Sequence, residues 1–497
     1  MKNKLLLLLK STLFLLILGI CLLLVMNVVR RKESNYKYAD FFDLADKKQI
    51  DVLFMGSSHV INGVNPVTLY SNYGYTSYNM GGHGSMLQAT YWELIEALDY
   101  CTPKWVVVDT YMLEKDYQYL DRMGENATDN ERRTSVDQLH LNMDAWPLRK
   151  LKIAAINDLI KDRDNKNQFL FDFIVYHDRW KELEEDDFQI LTKDESRNEL
   201  YGAEMRYDVE LSPLYYPDPD PGQCLDSHTV GQEYLMKIID ECQRRGIGVL
   251  VTYLPFCATY EDKMAANSAA EIAVRYAVPY LNMLKAGIVD YDTDLNDPGH
   301  LNVSGSMKVT NYLGAWLAEN GDLEDHRGDP SYSEWYDKSL NFYADYRNRI
   351  NSDVDLYRVL DILSLDEVGY VVYFNQGSGA FIDDKIKHFI GKMSGTETIY
   401  SARGPYILIS DALTGRKYEA CDGGSINGAA TTMGTMVYQP VEEKFRFLYA
   451  LEAPDMNYLY DENYLNYDIQ ILAFEKETGE LLGHSYYRSF GGNYRMD

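Results

Sequence analysis

The chain has 497 residues, 46% of them hydrophobic, and a formal net charge of −28 at pH 7. That length exceeds one ordinary domain, so two or more are expected. The negative charge argues against nucleic acid or an anionic membrane surface as partner and suits a body that stays dispersed.

Residues 5–29 are apolar apart from Lys10, Ser11, Thr12 and Asn27, and the run 11–29 is long enough to cross a bilayer as a helix. No small-x-small cleavage site ends it, so a retained anchor over 1–30 is expected. Cys21 follows Ile20 rather than a small residue, which argues against lipidation. Lys2, Lys4 and Lys10 precede the span and Arg30, Arg31 and Lys32 follow it, so charge leaves the orientation undecided. A single N-terminal span with a large folded body places that body outside the cytoplasm. Five cysteines remain beyond the anchor with no Cys-x-x-Cys spacing, which argues against a disulfide scaffold or a zinc ribbon and leaves a single bridge open.

After a charged juxtamembrane piece comes DVLFMGSSH at 51–59. Residues 52–55 have the length and bias of a buried parallel strand, and Gly56 permits a sharp turn at its carboxyl end. Residues 75–79 read as a second strand, followed by MGGHG at 80–84 and a helix for which Ser85 is the expected cap. Residues 105–109 are a third strand. From 112 to 229 the rhythm is interrupted by a long insertion, expected to pack over the carboxyl edge as a lid or substrate wall. It holds an apolar helical face at 144–160, an aromatic run ending at His177 and Trp180, and an acidic cluster at 182–187 read as a solvated face. Helix, strand, helix and strand resume over 231–283, with Gly246 as a left-handed cap, and a last helix is expected from Ser304. This alternation predicts an α/β domain over 31–320, a parallel sheet wrapped by helices. Residues 321–341, rich in charge, Gly, Pro and Ser, are read as a linker. Residues 342–497 read as a mostly β accessory domain, with strands at 369–374, 406–410, 445–450 and 468–474, one helix at 383–393 and a hairpin closing at 481–482.

A serine on a strand-to-helix turn is inert unless a base takes its proton. Asp297-Pro-Gly-His300 supplies such a base and its orienter, so Ser58 is the expected nucleophile, His300 the base and Asp297 the orienter. Ser58 is preferred to Ser57 as one step further into the turn. The backbone N–H groups of Ser58 and Gly84 are the expected oxyanion donors. His59, His83, Asn79, His177 and Trp180 are candidate substrate-wall residues. No cofactor is expected, and no metal, because metal-ligand spacing and phosphate-binding loops are absent.

These blocks resemble the SGNH/GDSL-type hydrolases over residues 51–319, minus the insertion. Gly56-Ser57-Ser58 takes the place of the family's Gly-Asp-Ser, 79–84 resembles the second block with its glycine at Gly84, and Asp297-Pro-Gly-His300 matches the last. The closest likeness is to the membrane-anchored branch that O-acylates bacterial surface polymers, as in alginate O-acetylation and teichoic-acid D-alanylation. The resemblance implies a three-layer α/β/α fold, a cell-surface glycan as substrate and a multi-spanning membrane acyltransferase as partner. One block departs: after the third strand the family carries an asparagine, whereas this chain reads Asp109-Thr110-Tyr111. A serine O-acyltransferase or esterase is therefore the leading expectation. A membrane-tethered glycan-binding or scaffold protein without turnover is the alternative, and a lipase or protease is a weaker third.

Overall fold

A computed structural model describes residues 2–30, 33–115, 128–161, 163–171, 173–185, 187–188, 198–374, 382–410, 415–441, 444–448, 468–490 and 493–496. The chain opens with a 28-residue helix α1 (Lys2–Val29), long and apolar enough to cross a membrane. Only its end is buried, at Val28 and Val29. Helix α2 (Glu33–Lys47) follows and packs Tyr38, Phe41 and Leu44 into the core.

The next elements are β1 (Val52–Met55), α3 (Ser58–Gly63), α4 (Pro66–Tyr73), β2 (Ser77–Asn79), α5 (Leu87–Ala97) and β3 (Trp105–Asp109). The insertion contributes α6 (Asp129–Met143), α7 (Lys150–Leu159), α8 (Arg163–Leu170) and α9 (Phe173–Tyr176). Then come α10 (Val230–Arg245), β4 (Gly248–Tyr253), α11 (Tyr260–Tyr276), β5 (Tyr280–Asn282), the short pair β6 (Leu295–Asp297) and β7 (His300–Leu301), and α12 (Val303–Asn320). Strands β2-β1-β3-β4-β5 form a five-stranded, wholly parallel sheet.

Side chains alternate across this sheet with the period of two that a strand imposes. Leu53, Met55, Val106, Val108, Val249 and Val251 join one core with α2, α5, α10 and α11. Val52, Phe54, Val107 and Leu250 join the other, with Leu69 of α4 and Val309, Leu313 and Leu317 of α12. Helices therefore cover both faces, which is why the strands read as continuous apolar runs. Gly246, at φ 73°, caps α10 as expected.

Three local expectations are corrected. Ser85 does not cap α5: the position before the helix is Met86, and Ser85 Oγ donates instead to Glu93. Helix α12 is capped by Asn302, whose Oδ1 accepts from Gly305 N, so it begins one residue before Ser304. The stretch 321–341 carries a 3-10 turn at Pro330–Tyr332 and the first turns of α13 (Ser333–Asn348). Its Trp335 is fully buried, 4.0 Å from the ring of Tyr201 and 5.4 Å from that of Tyr70.

Beyond α13 follow α14 (Leu356–Leu363), β8 (Val368–Phe374), α15 (Asp384–Ser394), α16 (Thr398–Ser401), β9 (Tyr406–Ser410), β10 (Lys417–Cys421), β11 (Ile426–Thr431), β12 (Gly434–Val441), β13 (Lys444–Leu448), β14 (Ile469–Glu475), β15 (Leu481–Phe490) and β16 (Asn493–Met496). The end of the strand expected at 445–450 lies outside the described residues. An antiparallel sheet runs β10-β9-β8-β14-β15-β16, and a second runs β11-β12-β13. Val371, Tyr373, Ile407, Ile409, Leu472 and Phe474 pack beneath Ala429, Met436 and Tyr438 of the second sheet. The opposite face, with Tyr370, Val372 and Leu408, belongs to the same core as α13 and the parallel sheet.

Candidate active site

At the carboxyl end of β1, Gly56 takes φ 152°, a region closed to other residues. The chain turns there directly into α3. Ser57 occupies the cap, its Oγ accepting from His59 N at 3.2 Å. Ser58 is the first helical residue, and its Oγ lies 2.9 Å from His300 Nε2. The capping role of Ser57, rather than depth in the turn, explains why the second serine is the free one.

His300 arrives on the β6–β7 hairpin, where Asp297 pairs with it across the turn Pro298-Gly299. Its Nδ1 sits 2.9 and 3.1 Å from the two Asp297 oxygens. Asp297 also accepts from Gly299 N at 2.8 Å and from the Asn296 amide at 3.0 Å. Burial pushes this carboxyl up, but the hydrogen bond and charge of His300, helped by those two donors, hold it well below the usual carboxylate range. An ionised Asp297 keeps the proton on Nδ1 and leaves Nε2 to accept from Ser58 Oγ.

His59 is buried beside this relay, stacked on Tyr111 at 3.7 Å, against Phe256 at 4.5 Å and perpendicular to His300 at 5.6 Å. Burial first, then the neighbouring His300, lowers its pKa well below that of an ordinary histidine, so it is a neutral aromatic wall. Phe256 also lines a cavity of about 320 Å³ with Tyr215, Tyr291 and Lys263. A cavity of about 680 Å³ lies elsewhere, between Lys308, Arg347 and Glu475, and none of the expected site residues lines it.

The loop 80–84 lies against the serine turn, with Met80 N on Phe54 O at 2.8 Å and Gly82 N on Gly56 O at 2.9 Å. Gly84 adopts φ 56° within it. A Cβ at Gly81 would come within 2.8 Å of Ser57 O and Ile61 N, so the close approach requires glycine. Sequence reasoning missed what holds this loop. Asn142, from α6 of the insertion, accepts from His83 N at 2.8 Å and donates to His83 O at 3.0 Å and Ser85 Oγ at 3.1 Å. Lys37 of α2 donates to Gly81 O. No local pattern marks either residue, because each acts on a loop more than 40 positions away.

Asn79 is corrected from wall to clamp: fully buried, its amide donates to Val60 O and Val64 O, both at 2.7 Å, and its Oδ1 accepts from Gly81 N. His83 is half-buried, with Nε2 3.5 Å from Glu204. His177 and Trp180 are exposed and are not brought to Ser58. His177 Nδ1 faces the carbonyls of Phe173 and Ile174, and the neighbouring Arg179 binds the end of α1. The insertion does form a rim through residues 201–210: Tyr201 O accepts from Asn79 N, Glu204 N donates to Ile61 O, and Arg206 O accepts from Val303 N. Asp290, Asp292 and His388 gather donor atoms within 4.8 Å of one another. Lys392 pairs with Asp290 and Lys385 with Asp292, making this a neutralised ion-pair cluster.

Compared with protein-family models and with curated proteins, the chain matches none.

Burial pushes three carboxyls in the body up to about 7: Glu93 beneath the 80–84 loop, Asp109 at the end of β3 and Asp361 on α14. Each holds its proton when folded but releases it at a lower pH when unfolded. Their contribution is complete below the unfolded values near 4 and is lost as pH rises through about 7. Asp297, shifted the other way, loses its contribution only in strong acid. Thermal melts at pH 5.5 and pH 8 are expected to show the lower Tm at pH 8, by roughly several degrees. A higher Tm at pH 8 would show these groups to be ionised in the fold.

Proposed function

We propose that the chain is an extracytoplasmic serine esterase or O-acyltransferase of the SGNH type that acts on a cell-envelope glycan through an acyl-enzyme. The relay Ser58–His300–Asp297, with both links at 2.9 Å, carries this reading. Ser58 Oγ attacks the acyl carbonyl while its proton passes to His300 Nε2, and Asp297 stabilises the imidazolium. The proton then goes to the departing alcohol. A sugar hydroxyl or water, deprotonated by His300, attacks the acyl-Ser58 ester and frees the serine. The N–H groups of Ser58 and Gly84 are the proposed oxyanion donors. A multi-spanning membrane acyltransferase as acyl donor follows from the family resemblance, as does a three-layer SGNH domain over 31–320. The antiparallel sheets beyond residue 342 carry none of the relay and are assigned an accessory role.

The scaffold reading draws on one observation. Where the family has its asparagine, no side-chain amide stands: Asp109 Oδ1 accepts from Leu254 N at 2.9 Å, and the Thr110 hydroxyl is engaged, donating to Thr252 O at 2.8 Å. A missing donor lowers the rate by about a hundredfold or more, which is compatible with a slow enzyme. A fluorophosphonate probe decides between the readings. We expect it to label the peptide bearing Ser58, alongside slow turnover of p-nitrophenyl acetate. No label and no turnover would leave the scaffold.

A further inference from the structure

The insertion carries the body's most conspicuous run of exposed apolar side chains. Phe171 and Trp180 are 60% and 62% exposed, and Phe173, Ile174 and Phe188 nearly half. Soluble surfaces scatter such residues singly. Here they fall within one short stretch formed by α9, the 3-10 turn Arg179–Lys181 and the segment after it.

The position of that stretch is fixed by Arg179. Its guanidinium donates to Val29 O at 3.0 Å and Arg30 O at 2.9 Å, the carbonyls where α1 ends. It also pairs with both oxygens of Asp187, at 2.8 and 3.1 Å, which draws Phe188 to the same place. Val28 and Val29 are buried while Leu5 to Val25 stand exposed, so α1 leaves the body at this point. The aromatic side chains therefore lie beside the foot of the span.

We propose that Phe171, Phe173, Ile174, Trp180 and Phe188 form a membrane-interface docking surface, seated among the headgroups and upper acyl chains of the bilayer that α1 crosses. The inference rests on reading α1 as a retained span and is independent of the acyl chemistry. Three features select lipid as the occupant. A bilayer necessarily adjoins the foot of a span. Tryptophan is enriched at the headgroup boundary, and phenylalanine belongs to the apolar face that interfacial segments bury there. Lys181 Nζ, exposed 5.7 Å from the Trp180 ring and 3.4 Å from Asp178 Oδ1, is a cation on a long stem that can reach headgroups beside the ring. A body with net charge −28 gains no hold on lipid from electrostatics, so apolar insertion is what fixes its tilt.

The test uses the full-length chain in phosphatidylcholine vesicles whose acyl chains are brominated near the headgroup. Trp180 is the most exposed of the six tryptophans. Tryptophan fluorescence of the wild type is expected to be quenched by bromolipid, and that quenching to be lost in Trp180→Ser, a surface change that leaves the fold intact. Equal quenching in both proteins, or none in either, overturns the proposal. Protection of Trp180 from aqueous iodide without lipid quenching would assign the patch to a protein and overturns it too. Alkaline carbonate extraction separates the two ideas: release of the wild type removes the span itself, whereas a retained chain without Trp180 quenching removes only the docking surface.

Discussion

Ser58→Ala is expected to lower kcat on p-nitrophenyl acetate by about a thousandfold or more while the thermal melt stays unchanged. A full serine relay loses ~10⁶ on this change. The expected loss here is smaller because one oxyanion donor is missing, which leaves less acceleration to remove. The melt is insensitive because Ser57, not Ser58, caps α3, so alanine at 58 removes only one half-buried hydrogen bond. Asp297→Asn is expected to cost no more than Ser58→Ala, up to ~10³, since an amide no longer holds the proton on His300 Nδ1. The double variant should be no worse than Ser58→Ala alone, because the three groups act as a unit. Wild-type turnover in Ser58→Ala would remove the acyl-enzyme reading altogether.

Gly56→Ala is expected to destabilise the fold by about 3 kcal/mol or more and to abolish labelling of Ser58. Two causes add. The backbone at φ 152° is one that a residue with a Cβ rarely adopts. The added carbon would also sit 2.7 Å from Val60 Cγ2 and 3.1 Å from Asp109 Cβ, between α3 and the end of β3. Relief requires the turn to open, which shifts Ser58 away from His300. Thermal melts and probe labelling check both effects, and a variant that labels normally would show that the turn tolerates a Cβ.

The parallel sheet was legible because β1, β3 and β4 are short apolar runs, β1 closed by Gly56 and β4 by Pro255, and burial on both faces leaves little else to write there. The meeting of Ser58 and His300, 242 residues apart, was legible for a related reason. Each sits where the alternation of strand and helix delivers a loop to the same sheet edge. What supports the site was not legible. Asn142 and Lys37 act through loop carbonyls and amides, and a polar residue on a helix carries no mark of which distant loop it will grip. Trp335 was hidden by composition: charge and Pro around it signalled a linker, yet one indole filling a pocket between Tyr70 and Tyr201 outweighs its neighbours. His177 and Trp180, candidates for a substrate wall with core packing the favoured reading, are exposed instead. An aromatic run in an insertion reads the same whether it faces a ligand, fills a core or lies beside the end of α1.

The bond from Lys37 to Gly81 has a geometric consequence. Only six residues lie between Arg30, where α1 ends, and Lys37, a path of at most about 25 Å. Helix α2 runs through most of that path, and Arg179 braces its start. With α1 in a bilayer, the short path ties the loop beside Ser58 close to the lipid. On the proposed acyl chemistry, acyl groups presented within a few nanometres of the lipid would be in reach of Ser58, and polymer far out in the envelope would not.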